Sequence, residues 1–178
     1  PMKYDYEVNK ETLKKHSAHS VITSLTAAGS RVLDIGCSGG YIGNYLIEEK
    51  QCRVSGIEPD PCAASEAGKK YETVIEGSVE DPKVLAQING KFDFIILADV
   101  LEHLAAPGET LKNLRPFLNE KGSVIVSLPN IAYWKIRLGL LFGSFDYTEK
   151  GILDKTHLRF FTLKTAKELA VSAGYKVV

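Results

Sequence analysis

The segment RVLDIGCSGGYIG, from Arg31 to Gly43, has residue types that can hold a nucleotide-like cofactor against the backbone. A short apolar run ends at Asp34 and Ile35, and it is followed by four glycines within eight residues: Gly36, Gly39, Gly40 and Gly43. Glycine adopts backbone angles that other residues avoid and lets a ligand approach the main chain closely. In an α/β sheet, ligands bind at the carboxyl ends of strands. The segment therefore predicts a cofactor site.

The spacing of these glycines argues against two common nucleotide motifs. The dinucleotide fingerprint G-x-G-x-x-G, started at Gly36, needs glycines where the chain has Ser38 and Tyr41. The sequence also contains no G-x-x-x-x-G-K-[ST] phosphate loop. A dinucleotide-dependent dehydrogenase is therefore disfavoured.

The histidines are the candidates for proton transfer, because imidazole titrates near neutral pH. His103 in ADVLEHL and His157 in DKTHLRFF are predicted to be catalytic, although His103 could instead pack or cap a helix start. Asp154 and Arg159 flank His157 and could bind an anionic or hydroxylated acceptor, or form a hydrogen-bonded knot joining this loop to the body. The other two histidines are expected to be solvated in the N-terminal region: His16 and His19.

Five short apolar runs predict the strands that position these groups: RVLDI at 31, CRVSGI at 52, YETVI at 71, FDFIIL at 92 and GSVIVSL at 122. Helical patterns lie between them, with a strand spacing of roughly 20–30 residues that fits βαβ crossovers. The sequence therefore predicts an α/β fold, with a mostly parallel Rossmann-like sheet and helices on both faces.

The predicted helices cover 41–50, 61–71, 108–122 and 162–174, the last with Thr162 as its N-cap and Gly174 after its end. The apolar segment IAYWKIRLGLLFG predicts a covering helix with a buried face, in which Tyr133 and Trp134 could line an acceptor pocket. The last four residues, YKVV, predict the start of a sixth strand.

Length and composition predict a single soluble domain. The chain has 178 residues, of which 44% are hydrophobic and 25% charged. We divide it into an N-terminal helical region (1–30), a cofactor-binding core (31–127), a covering and acceptor segment with the last helix (128–174), and the strand start (175–178). Basic and acidic residues balance at 22 each, which disfavours nucleic acid as a partner.

The three cysteines form no CxxC pair, which favours a reducing compartment and a cytoplasmic location. No apolar run reaches the roughly 18 residues that a transmembrane helix needs, so no membrane span is expected.

Five segments, in this order, resemble class I S-adenosylmethionine-dependent methyltransferases. VLDIGCSGG resembles their first motif, GIEPD their acidic second-strand end, GSVED their adenine-side loop, FDFIILADVLEHL their fourth strand and turn, and LRPFLNEKGSVIVSLPN their next helix and strand. The later segment GILDKTHLRFFT is similar to a bacterial subgroup that includes MetW-like proteins and methyltransferases found alongside glycosyltransferases. The resemblance covers nearly the whole chain.

This resemblance implies S-adenosylmethionine as the cofactor and S-adenosylhomocysteine as the product. Asp34 would orient the loop or reach the amino group through a water, Glu58 would accept hydrogen bonds from both ribose hydroxyls, and the Ala98 carbonyl would bind the ammonium group. The complete set implied for the cofactor, with Ser78 and Val79 beside adenine, is Asp34, Gly36, Cys37, Ser38, Gly39, Glu58, Pro59, Ser78, Val79, Ala98 and Asp99.

The expected activity is methyl transfer to a small molecule, on an oxygen of a sugar or similar metabolite, because the subgroup is associated with glycan assembly. Methyltransferases that act on nucleobase nitrogens resemble one another in a (D/N)PPY tetrapeptide after the fourth strand, where this chain has ADVL. Methylation of a nucleobase nitrogen is therefore not expected. The alternative is a methyltransferase-like accessory protein that supports a partner enzyme. The family's sheet normally has a seventh strand, and no residues follow YKVV to form it, so either the sequence is part of a longer polypeptide or the strand is absent or supplied by another chain. If it is absent, an exposed sheet edge would favour self-association, and the oligomeric state is therefore left open.

No metal is assigned to the site. One alternative stays open, because DVLEH at 99–103 resembles the acidic-x-x-E-H pattern of ubiquinone-type O-methyltransferases. In those proteins such groups can hold a divalent cation, and the ligands here would be Asp99, Glu102 and His103.

Overall fold

A computed structural model of the chain describes residues 17–178, which form two compact units. The first consists of the described residues up to 98 together with 115–127, and the second consists of 99–114 and 128–178. Residues 99–114, assigned from the sequence to the cofactor-binding core, thus group with the C-terminal segment. The first sixteen residues of the predicted N-terminal helical region, His16 among them, lie outside the described residues.

The first unit contains a five-stranded parallel sheet in the order β3-β2-β1-β4-β5, which confirms the predicted Rossmann-like fold. Its strands are β1 (Arg31–Ile35), β2 (Arg53–Glu58), β3 (Thr73–Glu76), β4 (Phe92–Ala98) and β5 (Leu118–Ser127). Because every pair is parallel, all the carboxyl ends meet at one edge. The strand order reverses between β1 and β4, so the loop after β1 lies at the position where such sheets bind ligands.

Four helices accompany the sheet in this unit: α1 (Ala18–Leu25), α2 (Tyr41–Lys50), α3 (Pro61–Ala67) and α4 (Pro82–Leu85). The prediction for α2 is confirmed at both ends. α1 packs on β4 and β5, α2 on β2, and α3 on β2 and β3. The strands therefore bury continuous apolar runs, with Val32, Ile95 and Ile96 fully inaccessible to solvent.

The helix predicted over 108–122 is wrong beyond Leu114. α5 (Pro107–Leu114) ends there, a 3₁₀ turn covers Arg115–Phe117, and β5 already begins at Leu118. Pro116 explains the early end, because proline disfavours helical angles at the preceding residue and lacks the backbone N–H that a helix needs.

The second unit contains a 3₁₀ turn at Leu101–His103, α5, α6 (Trp134–Leu141) and α7 (Leu163–Ser172). The predicted cap of α7 is confirmed, since the Thr162 side chain accepts from the Thr165 backbone N–H and the Thr165 side chain accepts from that of Thr162. Gly174 follows with φ +86°, as a residue after a helix end often does. The strand predicted for 175–178 is not formed; instead the Tyr175 hydroxyl donates to the Leu111 carbonyl at 2.8 Å, which ties this segment to α5.

The helix predicted within IAYWKIRLGLLFG forms as α6, but the prediction that it buries a face is wrong. None of its residues is buried, and Leu141 and the adjoining Phe142 are 77% and 79% exposed. Its apolar residues occur all round the helix, so the sequence pattern defines no single inward face. Within residues 17–178, no helix is long and apolar enough to span a bilayer.

A buried acid–phenol pair lies inside the first unit. The Tyr71 hydroxyl donates to Asp34 Oδ2 at 2.7 Å and accepts from the Gly43 backbone N–H at 3.1 Å. Burial raises the pKa of Asp34 from 3.8 to about 7, an effect that the Tyr71 hydrogen bond opposes and the Glu58 charge reinforces. Between pH 3.8 and about 7, Asp34 therefore keeps a proton in the folded state that the unfolded chain has already lost.

This raised pKa predicts a pH-dependent contribution of Asp34 to stability. From the unfolded value of 3.8 up to about 7, the native state binds more protons at Asp34 than the unfolded state, so the unfolding free energy falls as pH rises. Asp34→Asn removes the ionisation, and its side-chain oxygen can still accept from Tyr71. We expect the variant to gain stability on the wild type across this range, by up to roughly 4 kcal/mol.

Denaturant unfolding at a series of pH values measures this gain. The exposed Glu72→Gln serves as the control, and its stability should track the wild type at all pH values. If the unfolding free energies of Asp34→Asn and the wild type change with pH in parallel, Asp34 has its ordinary pKa in the folded state and the prediction is wrong.

Candidate functional site

The loop after β1 is fastened to the end of β2 through backbone hydrogen bonds. The N–H groups of Gly36 and Cys37 donate to the Ile57 carbonyl at 2.8 and 3.2 Å, and that of Gly40 donates to the Cys37 carbonyl at 2.9 Å. Gly36 and Gly40 have φ values of +64° and +82°, which glycine adopts without strain. The glycine signal seen in the sequence thus corresponds to a tight turn at the carboxyl edge of the sheet.

Glu58, the last residue of β2, holds this turn through its side chain. Its Oε2 accepts from the Ser38 N–H at 2.7 Å and its Oε1 accepts from the Asp60 N–H at 2.9 Å. The carboxylate is buried. A carboxylate offers about four lone-pair sites, so each oxygen can still accept from a ligand hydroxyl. The predicted ribose acceptor therefore has a fixed orientation and spare acceptor capacity.

The Tyr71 side chain lies against three glycines near this turn, a contact that no pattern in the sequence predicted. A Cβ at Gly43 would lie 2.2 Å from the Tyr71 hydroxyl oxygen. At Gly40 and at Gly56 it would lie 3.0 Å from the Tyr71 ring. At Gly43 the tyrosine alone takes the space of a side chain, whereas Ala67 shares this role at Gly40 and Cys37 Sγ, at 2.7 Å, shares it at Gly56.

Gly39 differs from these three glycines. Its φ lies outside the left-handed region, and an added Cβ would meet only Glu66 Cγ at an ordinary contact distance of 3.7 Å. Packing among the described residues therefore does not require glycine at this position. Close approach of a ligand to the backbone is the reason that remains.

The other residues predicted for the cofactor lie in several settings. Cys37 is buried, which raises the pKa of its thiol, and it therefore stays protonated. Ser78 is exposed and its hydroxyl accepts from the Glu80 N–H at 3.2 Å, whereas Val79 is buried. The remaining three are the exposed Pro59, the half-buried Ala98 at the end of β4, and Asp99, which begins the second unit with φ +55°.

A second set of reactive groups lies in the second unit. One candidate ligand atom from each of Glu102, His103 and His157 lies within 4.8 Å of the other two. His157 Nε2 is 4.0 Å from Glu102 Oε1, and the two imidazole rings meet edge to face with centroids 4.8 Å apart. We call these three residues the Glu-His-His cluster.

Glu102 is the buried member of the cluster. Its side chain is 2% exposed, and within the described part of the chain neither carboxylate oxygen has a hydrogen-bond partner. Burial raises the pKa of this group to about 8, the polar N–H of its own backbone opposes the shift, and the charge of Asp99 adds to it. By contrast, its backbone carbonyl accepts from the N–H groups of Leu158 and Arg159 at 2.8 and 3.1 Å. The main chain is thus fixed while the carboxylate is not.

Both imidazoles are oriented through Nδ1. His157 Nδ1 lies 3.1 Å from the Ile152 carbonyl oxygen, and His103 Nδ1 lies 3.3 Å from that of Thr156. A carbonyl only accepts, so each Nδ1 is assigned as the donor in the neutral ring, which leaves the lone pair on Nε2. The structure thus brings together the two predicted catalytic histidines and adds Glu102 to them.

The Asp154 side chain forms hydrogen bonds within its own loop, which agrees with the second of the two alternatives considered for it. Its buried Oδ1 accepts from the backbone N–H and the hydroxyl of Thr156 at 2.8 and 2.6 Å. Arg159 is exposed and donates to the Ala105 carbonyl. Both side chains therefore shape the loop that carries His157.

Other predicted residues lie outside the Glu-His-His cluster. Tyr133 and Trp134 are exposed at the start of α6, with ring centroids 5.9 Å apart. Asp99 is not part of the cluster, so the metal set considered from the sequence is not assembled as such. The expectation that His19 is solvated is wrong, because it is half-buried and its Nε2 lies 3.0 Å from the Tyr41 hydroxyl.

Comparisons with known proteins agree with the fold. A ubiquinone biosynthesis O-methyltransferase of Azorhizobium caulinodans is 28% identical over 172 residues, covering 93% of this chain and 65% of that protein. A tRNA U34 carboxymethyltransferase of Aliarcobacter butzleri is 28% identical over 126 residues, covering 69% of this chain and 41% of that protein. The chain thus spans less than two thirds of the length of these curated relatives.

Solved structures show the same architecture. A methyltransferase from Thermotoga maritima superposes with a TM-score of 0.66 at 22% identity, covering 90% of this chain and 70% of that one. The plantazolicin methyltransferase BpumL, solved with S-adenosylhomocysteine, gives a TM-score of 0.66 at 21% identity, covering 89% and 62%. A third neighbour, from Haloferax volcanii, is a putative methyltransferase solved with the Trm112 activator; its TM-score is 0.67 at 17% identity, covering 95% and 72%.

The family comparison spans almost the whole chain. The sequence model of the methionine biosynthesis protein MetW matches residues 16–177, a range that contains both the turn after β1 and the Glu-His-His cluster. The chain therefore belongs to the MetW family.

Proposed function

We propose that this chain is an S-adenosylmethionine-dependent methyltransferase that acts on an oxygen of a small molecule, such as a sugar or a similar metabolite. The observation that carries the proposal is the Glu58 carboxylate, fixed beside the glycine turn at the carboxyl edge of the sheet. The methyltransferase names of the curated relatives and structural neighbours support the reaction class. The relatives named O-methyltransferases support oxygen as the attacked atom.

The residues of the first unit fit this cofactor. Glu58 would bind the ribose hydroxyls, the backbone at Gly36–Gly39 would lie along the ribose and methionine part, and Ser78 with Val79 would flank adenine. Asp34 acts on the turn through Tyr71, because its carboxyl group is buried and bonded to that hydroxyl. When bound, S-adenosylmethionine supplies a methyl group on a positively charged sulfur.

The Glu-His-His cluster is the group of residues suited to an acceptor hydroxyl. The two Nε2 atoms can accept a proton, and the carbonyl contacts at Nδ1 keep the rings in one orientation. The chain passes directly from β4 into Asp99 and the turn that carries His103. Proton removal makes the oxygen a stronger nucleophile, and positioning supplies much of the remaining acceleration.

A second candidate function is that of an accessory protein that supports a partner enzyme. The exposed apolar surface of α6 favours it, with Trp134, Leu138 and Leu141 all largely exposed. The neighbour from Haloferax volcanii was solved with an activator protein, which supports the same alternative. The affinity for S-adenosylmethionine separates the two candidates, because an accessory role does not require it.

The ribose assignment predicts that Glu58→Gln weakens cofactor binding. The substitution replaces one acceptor oxygen with an amide group that cannot accept, opposite a backbone N–H. We expect the affinity for S-adenosylmethionine to fall by about 10- to 100-fold, measured by titration calorimetry. Glu66→Gln, an exposed change on α3, is the matched control and should bind like the wild type. Equal affinities in Glu58→Gln and the control would refute the ribose assignment.

The role given to Gly39 predicts that its replacement affects binding but not folding. In Gly39→Ala the new methyl group has room within the protein, so the unfolding free energy should change by less than about 0.5 kcal/mol. The affinity for S-adenosylmethionine should fall about tenfold or more. Gly40→Ala is the contrasting variant; it should lose stability, because its φ is +82° and its Cβ would lie 3.0 Å from Ala67 Cα.

Calorimetry and denaturant unfolding on the same samples measure both quantities for these two glycine variants. Wild-type affinity in Gly39→Ala would show that no ligand approaches the backbone at that position.

The assignment of the cluster predicts that His103→Gln and His157→Gln keep cofactor affinity and lose turnover. We expect turnover to fall by about 10²- to 10⁴-fold, measured as S-adenosylhomocysteine released with a panel of hydroxylated acceptors. His19→Gln, a histidine outside the cluster, should retain activity. Wild-type turnover in both cluster variants would exclude the two histidines from catalysis.

A further inference from the structure

The carboxylate of Glu102 lacks the partners that a buried acid normally has. In the described part of the chain neither oxygen is hydrogen-bonded, and the side chain is almost fully buried. Buried carboxylates are otherwise paired, hydrogen-bonded or bound to a metal, because losing water without compensation costs several kcal/mol. His157 Nε2 lies 4.0 Å from Oε1, which is too long for a hydrogen bond.

The two histidines of the cluster have the arrangement of metal ligands. Metal-binding histidines usually donate their second ring N–H to a carbonyl or a carboxylate, which fixes the tautomer and aims the other nitrogen at the ion. Here the Nδ1 atoms of both His103 and His157 lie against backbone carbonyls, those of Thr156 and Ile152. Two imidazole nitrogens and one carboxylate oxygen therefore converge from residues that the chain brings together in one unit.

We propose that the Glu-His-His cluster is a binding site for a divalent transition-metal ion, with one oxygen of Glu102 and the Nε2 atoms of His103 and His157 as ligands. Imidazole nitrogens favour ions such as Zn²⁺, whereas Mg²⁺ and Ca²⁺ select oxygen ligands. The site therefore discriminates against Mg²⁺. It differs from the set considered from the sequence, because His157 takes the place of Asp99.

The three ligand atoms lie within 4.8 Å of one another, so they must move closer together to bind an ion. Zn²⁺ binds nitrogen and oxygen at about 2.0–2.2 Å, so two ligands at the tetrahedral angle lie about 3.4 Å apart. The 4.0 Å separation of Glu102 Oε1 and His157 Nε2 exceeds this by about half an ångström, which rotation about the side-chain bonds can supply.

Three protein ligands leave a coordination position for another oxygen, as in catalytic zinc sites. This part of the inference rests on the proposed function: the position would hold the acceptor hydroxyl, whose pKa a bound ion lowers. Both Nε2 lone pairs would then be on the ion, so in the metal-bound form the histidines would hold the ion and the acceptor's proton would leave to solvent. The binding of the ion itself does not depend on methyl transfer.

Calorimetric titration of the untagged full chain with Zn²⁺, and separately with Mg²⁺, tests the site. No cofactor or acceptor is present, so failure here is distinct from failure of S-adenosylmethionine binding. We expect one Zn²⁺ per chain and at least 100-fold weaker binding of Mg²⁺. Glu102→Gln and His157→Gln should each weaken Zn²⁺ binding by at least 100-fold, while Glu102→Gln keeps the size of the buried side chain.

Two controls address adventitious zinc. Cys62→Ser removes an exposed thiol and His19→Gln removes a histidine outside the cluster, and both variants should bind Zn²⁺ like the wild type. The visible spectrum of bound Co²⁺ supplies a second readout, because a change in ligands alters its bands; it should change in His157→Gln and not in the controls. This comparison decides the matter if Glu102→Gln fails to fold. Absence of Zn²⁺ binding in the wild type, or unchanged binding in the cluster variants, overturns the proposal.

Discussion

The buried ring of Tyr71 is the constraint on which the turn after β1 depends. It fills the space that side chains at Gly40, Gly43 and Gly56 would need, and its hydroxyl joins Asp34 to the start of α2 through the Gly43 N–H. Two of the four glycines that suggest a cofactor loop, Gly40 and Gly43, are therefore explained at least in part by the packing of one aromatic ring. The evidence for a bound ligand therefore rests on fewer residues than the glycine pattern suggests.

Glu58 and Gly39 are the two residues that carry this evidence. The Glu58 carboxylate closes the turn by accepting from Ser38 and Asp60, so its position is fixed by the same backbone that a cofactor would contact. Gly39 is glycine without a packing reason. A turn held in shape before binding lowers the entropy that binding costs.

The parts of the fold that the sequence predicted are those with local signals. Strands buried in a parallel sheet are continuous apolar runs, and α2 and α7 begin or end at recognisable residues such as Thr162. The errors occur where local apolarity was taken as evidence of burial or pairing. α6 is apolar yet unburied, and residues 175–178 are apolar at three of four positions yet form no strand.

Residues of the candidate site were likewise predictable only where a local signal marked them. Glu58 was singled out because it closes a strand, and ligands of such sheets bind at the carboxyl ends of the strands. Tyr71 and the approach of His157 to Glu102 were not, since both contacts join residues far apart in the chain. For Asp154 the sequence left two readings open, acceptor binding or a hydrogen-bonded knot, and its hydrogen bonds to Thr156 agree with the second.

The two buried glutamates are stabilised in opposite ways, and this difference indicates different roles. Both oxygens of Glu58 accept backbone N–H groups, which fixes the direction of the carboxylate, as suits a residue that binds hydroxyl groups. In Glu102 the backbone carbonyl makes the hydrogen bonds and the carboxylate makes none, as observed in the described residues. A fold that satisfies the main chain of a residue and leaves its carboxyl group without hydrogen bonds is less stable for it. Such a cost is expected where the carboxyl group binds a partner from outside the chain, because strain and unsatisfied groups concentrate at functional sites.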